Sequence, residues 1–92
     1  MMEVNGYEIV PHADLTGANL EDANLMYLDL TGATLTEAEL TGTNLREANL
    51  TGANLRGVNL TGANLTGTNL EGADLYNAKW EETTIDPNGW LK

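Results

Sequence analysis

A leucine stands at every fifth position from Leu15 through Leu20, Leu25 and onward to Leu75, thirteen in succession. The same frame then carries Trp80, Ile85 and Trp90, and only Leu28 and Leu91 lie outside it. Neither regular secondary structure tolerates this period alone. On an α-helix five residues turn about 500°, so successive leucines would drift by about 140° and coat the whole surface. On a straight strand five is odd, so they would alternate between faces. A single buried face results only if the chain turns once in each unit of five.

The other positions of the unit support that reading. Two residues before the leucine stands a small residue, and all ten alanines of the chain fall there, from Ala13 to Ala78. The residue just before the leucine is Asn or Asp in eleven units, from Asp14 to Asp74. Two residues after it, eight units carry glycine: Gly17, Gly32, Gly42, Gly52, Gly57, Gly62, Gly67 and Gly72. Glycine accepts the positive φ that a type II turn requires at its third residue. The glycine-free corners at Asp22, Glu37, Glu47 and Asn77 are expected to use type I turns instead. The chain therefore reads as a solenoid of short sides and corners, with leucine and the small residue inward and the other three positions outward. Alanine lets two inward residues share each side of a narrow core. Thirteen leucines in phase are not the pattern of a disordered chain.

The unit Ala-Asn/Asp-Leu-x-Gly resembles the pentapeptide repeat family, whose motif is Ala-(Asp/Asn)-Leu-x-x. The resemblance runs from residue 13 to about 87. It implies an all-β fold, a right-handed four-sided parallel β-helix with one pentapeptide per side and about four coils. One wall would then stack Leu15, Leu35, Leu55 and Leu75; the next Leu20, Leu40, Leu60 and Trp80; the third Leu25, Leu45, Leu65 and Ile85; the last Leu30, Leu50, Leu70 and Trp90. Asn24, Asn44 and Asn64 would fall in one column, where carboxamides can bond along the axis.

Solenoid ends expose apolar core and unpaired backbone, so caps are expected. Residues 1–12, with Tyr7, Ile9, Val10 and Pro11, read as the N-terminal cap, 13–87 as the repeat and 88–92 as the C-terminal cap. Glu8 fills the small-residue slot of a frame centred on Val10, where a carboxylate does not belong, so the regular repeat starts near Ala13. Leu28 occupies a slot that is elsewhere small and is expected to fill space under this cap. Trp80, Ile85, Trp90 and Leu91 are expected to plug the far end, and Pro87 to stop strand pairing.

The composition excludes most chemistry. There is no Cys for a disulfide, thiolate metal site or nucleophile, and no Ser for a triad. His12 is the only histidine and reads as a cap or surface residue. The carboxylates have no dry, concave pocket in which their pKa values could separate, so neither an enzyme nor a cofactor or metal site is expected. No apolar run approaches the roughly 18 residues of a membrane helix. The start, Met1-Met2-Glu3-Val4-Asn5-Gly6, lacks the basic segment and apolar core of a signal peptide, so the cytoplasm is the expected location.

Fourteen Asp and Glu against four Lys and Arg give a net charge of -10, which disfavours direct contact with nucleic acid or anionic membranes. By register the second wall is richest in acids, with Glu21, Asp22, Glu39, Glu81 and Glu82 against Lys79, and these five form the candidate interaction surface. Tyr27, Met26 and Tyr76 are expected to point outward. The resemblance implies a bacterial, non-catalytic scaffold or protein-interaction module with an unidentified protein partner, either monomeric or associating end to end. Some family members mimic duplex DNA and bind DNA gyrase, which supplies an alternative. Four coils at ~4.8 Å span about 19 Å, and duplex DNA of that length carries about eleven charges. That length is only about half of a ~34 Å helical turn, so mimicry is the weaker expectation.

Overall fold

A computed structural model describes residues 2–91. From Asp14 to Lys79 the chain pairs with itself in parallel at a fixed offset. Asp14 bridges Thr34, Asn19 bridges Glu39, Asn24 bridges Asn44 and Asp29 bridges Asn49, and the series continues to Asn54 with Asp74 and Asn59 with Lys79. Each offset is twenty residues, or four pentapeptides, so the coil has four walls. Numbered from the wall of Leu15, the walls follow the stacking expected from the sequence as far as Lys79.

The pentapeptide places its own backbone polar groups. In wall one, Leu35 N–H donates to Asn54 O at 2.7 Å and Asn54 N–H donates to Ala33 O at 2.9 Å. At the corner, Val58 N–H closes a turn onto Leu55 O at 3.1 Å, and Gly57 N–H reaches Tyr76 O of the next turn at 2.9 Å. Repeating these bonds around the coil satisfies the backbone without long strands. The leucines from Leu20 to Leu65 are between 0 and 1 % exposed. Thr43 and Thr68 fill small-residue slots in the core, and their hydroxyls donate to Leu40 O (2.9 Å) and Leu45 O (2.7 Å). Among the described residues no buried side-chain polar atom lacks a partner.

The corners differ from expectation. Asp22, Glu37, Glu47 and Asn77 do not switch turn type: their φ angles are 58°, 61°, 59° and 60°, close to the 68–73° of the repeat glycines. Tyr27 joins them at 66°. At four of these five the corner N–H bonds the next coil, whereas Asn77, in the last coil, takes the same angle with no such backbone bond among the described residues. Asp22 N–H reaches Thr41 O at 2.8 Å, Glu37 N–H Arg56 O at 2.9 Å and Glu47 N–H Thr66 O at 3.0 Å. A type I turn would redirect the N–H of those four corners away from the next coil, and the left-handed angle costs about 1–2 kcal/mol per non-glycine residue.

The Asn/Asp column also differs. Its side-chain oxygens do not form a ladder along the axis. In all eleven units from Asp14 to Asp74 the Oδ1 accepts the N–H two residues ahead, as Asn49 does from Thr51 at 3.0 Å and Asn64 from Thr66 at 3.0 Å. This local bond fixes the entry to the corner and competes successfully with stacking.

The ends are built differently from the walls. Strands β1 (Glu3–Val4) and β2 (Tyr7–Glu8) form an antiparallel hairpin around Asn5-Gly6. Of the cap residues, Ile9 is buried and Val10 is partly so. Tyr7 hydroxyl accepts Asn19 N–H at 3.2 Å, a group with no preceding turn to bond. Leu28 is partly buried against the core.

At the other end the register slips. Asn64 bridges Ile85, an offset of twenty-one rather than twenty. Ile85 thereby takes an outward position and is 48 % exposed, so it does not continue the wall of Leu65. Thr84 takes the small-residue slot, donating to Leu60 O at 2.8 Å and accepting from Gly62 N–H at 3.1 Å. Trp80, which follows Lys79 at the last level of its wall, is also 48 % exposed. Among the described residues, Trp90 and Leu91 are the part of the expected plug that is partly buried against the core. Asp86 holds them by accepting Trp90 N–H (3.1 Å) and Leu91 N–H (2.9 Å), and the Trp90 indole N–H donates to Thr68 O at 3.1 Å.

Candidate interaction surfaces

Register places Glu21, Asp22, Glu39, Glu81 and Glu82 along wall two, but not as one patch. Glu39 bridges Asn19, which brings it beside Glu21 and Asp22 at the N-terminal part of the wall. Asn59, Thr61 and Gly62 occupy the next level and separate this group from Glu81 and Glu82 beside Lys79. Glu21, Asp22, Glu81 and Glu82 are exposed and Glu39 is partly so. The Asp22 carboxylate leans over Gly42, where only the missing Cβ leaves room.

The stronger asymmetry runs along the axis. Residues 1–45 hold eight of the fourteen acids and neither Lys nor Arg; all four cations lie from Arg46 onward. One cation is engaged at its corner: Arg56 Nε meets Asp74 Oδ2 at 3.2 Å, and its guanidinium lies 4.9 Å from the centre of the Tyr76 ring. Tyr27 and Tyr76 both point outward and are exposed.

Two carboxylates at the N-terminal part of the rod titrate low. Asp14 is lowered chiefly by the Thr16 hydroxyl, 2.7 Å from its Oδ1, and by Thr16 N–H; Asp29 is lowered by the same pair of bonds from Thr31. A carboxylate depressed in the fold adds stability that is present above its unfolded value near 4. That stability is lost as the pH falls through the lower folded value. The double variant D14N/D29N keeps the accepting oxygens and cannot titrate. We expect the thermal midpoint of the wild type to fall more steeply below about pH 4 than that of the variant. Parallel profiles would show that the hydroxyl bonds do not act on the charge.

A cavity of about 350 Å³, open to solvent, lies between the hairpin and the first turn of wall one. Tyr7, Glu8, Val10, Ala13, Asp14 and Leu15 line it. It was not foreseeable from the repeat, because it forms where the hairpin leaves the end of that wall uncovered. Among the described residues no group of His, Asp and Glu is arranged to hold a metal ion.

Comparison with known proteins agrees with this geometry. The family described as pentapeptide repeats matches residues 13–52 and 43–79, with eight copies of the motif. No curated protein sequence matches. Among solved structures, the chain is similar to the pentapeptide repeat protein Rfr23 from the cyanobacterium Cyanothece 51142. The two share 43 % identity at a TM-score of 0.69, over 80 % of this chain and 54 % of that one. It is similar to a pentapeptide repeat protein of the Arabidopsis thaliana thylakoid lumen, with 29 % identity and a TM-score of 0.79, over 85 % and 54 % of the two chains. It is also similar to QnrB1, a plasmid-mediated fluoroquinolone resistance protein, with 25 % identity and a TM-score of 0.60, over 76 % and 35 %. The chain thus spans about half the length of the first two and about a third of the last. These relatives imply a right-handed, four-sided β-helix. Its repeat, its twenty-residue coil and these matches together place the chain in the pentapeptide repeat family.

Proposed function

We propose that this protein is a non-catalytic β-helix of about four coils, acting in the cytoplasm as a rigid scaffold or protein-interaction module. The observation that carries this reading is the filled interior. Leucine, alanine and threonine occupy the inside of the coil, and ionisable side chains are confined to the outside, where they face solvent rather than a shared dry pocket. A surface that is rigid, acidic and periodic suits binding better than turnover. The acids of wall two are one candidate contact. Reversing them in E21K/D22K/E81K/E82K should abolish retention of a partner captured from the source cells while leaving the thermal midpoint within a few degrees. Equal retention by the variant would move the contact off this wall. Turnover of a substrate that disappears when one pair of carboxylates is replaced would overturn the reading.

The likeness to QnrB1 favours a second reading, an acidic DNA mimic acting on DNA gyrase or another DNA-binding enzyme. The long axis of the molecule measures 32 Å with its caps, more than the coils alone were expected to span. Duplex DNA of that length carries about nineteen charges, against a net charge of -10 here. The density is therefore about half that of DNA, and it is concentrated at one end. Absence of inhibition or protection in a gyrase supercoiling assay at micromolar protein would remove this reading.

A further inference from the structure

The N-terminal end of wall one combines three features of a strand acceptor. The first is an unpaired edge. Within the stack, Thr34 N–H donates to Ala13 O and Thr34 O accepts Leu15 N–H. Asp14 is the equivalent residue one turn earlier, and among the described residues its N–H and C=O have no backbone partner. The second is the cavity beside that edge, with an apolar floor of Val10, Ala13 and Leu15. Ala13 is only partly buried there, whereas Ala33 and Ala53 above it are buried. The third is charge. Glu8 and Asp14 stand at the rim of the cavity, within the stretch of 45 residues that contains eight acids and no Lys or Arg.

We propose that this end binds an extended segment of a partner protein in which basic and apolar residues alternate. The segment would add as a strand below wall one, in the place of a preceding turn. Its backbone pairs with the N–H and C=O of Asp14. One apolar side chain enters the cavity over Ala13 and Leu15, and flanking Lys or Arg side chains meet Glu8 and Asp14. Main-chain bonds supply affinity in such strand addition and the alternate side chains supply selectivity. Alternation is what the site selects, because side chains of a strand point to opposite sides in turn. The inference rests on the interaction-module reading and moves its contact from wall two to this end.

The test uses a synthetic peptide of alternating Lys and Val and the 92-residue chain. Amide shifts in NMR titration should centre on Tyr7, Ala13, Asp14 and Leu15. Glu8→Lys should weaken binding about tenfold or more. Ala13→Leu fills the floor and leaves every charge in place, and it should weaken binding comparably. A peptide N-methylated at its valines cannot donate to the edge and should bind at least about tenfold more weakly. Shifts centred on Glu21 and Asp22, undiminished binding of the N-methylated peptide, or no binding at all would each overturn the proposal. None of these outcomes touches the broader module reading, which is decided by partner capture and by the search for turnover.

Discussion

Replacing Leu55 by alanine should destabilise the protein by about 3 kcal/mol, whereas Leu75→Ala should cost about 1 kcal/mol or less. Both residues belong to wall one and to the same position of the repeat. Leu55 is 0 % exposed and is enclosed between Leu35 and Leu75. Leu75 is only partly buried, because no complete turn follows it. Truncating an enclosed leucine removes its transfer energy and leaves a void that the neighbouring turns cannot fill without breaking their ladder. Truncation at the open end leaves no closed void. Urea denaturation of the two variants measures the difference directly. Equal losses would mean that the last turn is as tightly enclosed as the middle, contrary to the exposure of Trp80 and Ile85.

Gly57→Ala should cost about 2–3 kcal/mol, and Gly52→Ala only about 1 kcal/mol. Both glycines have positive φ, 70° and 68°, so alanine pays the left-handed penalty at either position. They differ in what lies above them. A Cβ at Gly52 meets nothing, whereas at Gly57 it would overlap the Glu37 carboxylate, which leans across from the preceding turn. His12 over Gly32, Asp22 over Gly42 and Glu47 over Gly67 repeat this arrangement. At these four corners the side chain is accommodated by a glycine one turn further on, whereas the exposed Tyr27 is followed one turn on by Glu47. Glu37→Ala should therefore relieve part of the Gly57→Ala loss, and the double variant should show coupling rather than additivity. Thermal denaturation of the four proteins closes the cycle. Identical losses at Gly52 and Gly57, with no coupling to Glu37, would show that the backbone angle alone sets the effect.

The coil was legible because leucine keeps one phase for thirteen units, alanine and glycine never leave theirs within that run, and an odd period forces a turn. What the sequence concealed lies where a bond to the next coil outweighs local preference. Glu37 and Glu47 do not favour positive φ, yet their N–H groups are needed by Arg56 O and Thr66 O, so the corner overrides them. Asn24, Asn44 and Asn64 do stand in one column, but each carboxamide finds a nearer donor in its own corner. The frame of five appears unbroken through Trp80, Ile85 and Trp90, which hid the extra residue before Ile85. There the Thr84 hydroxyl does work that backbone groups do elsewhere, bonding Leu60 O and Gly62 N–H, and the chain is free to slip. The acids of wall two followed from register alone. The cavity at Ala13 did not, because it depends on how the hairpin settles around Ile9.

The twenty-residue coil can be tested by cross-linking, since the natural chain has no cysteine. Asn44 and Asn64 face outward at neighbouring levels, about 4.8 Å apart, within the range a disulfide spans. Under mild oxidation N44C/N64C should form an intramolecular disulfide nearly completely, while N44C/N69C, displaced by one further pentapeptide, should remain reduced. Efficient bridging of N44C/N69C together with reduced thiols in N44C/N64C would contradict the four-walled coil.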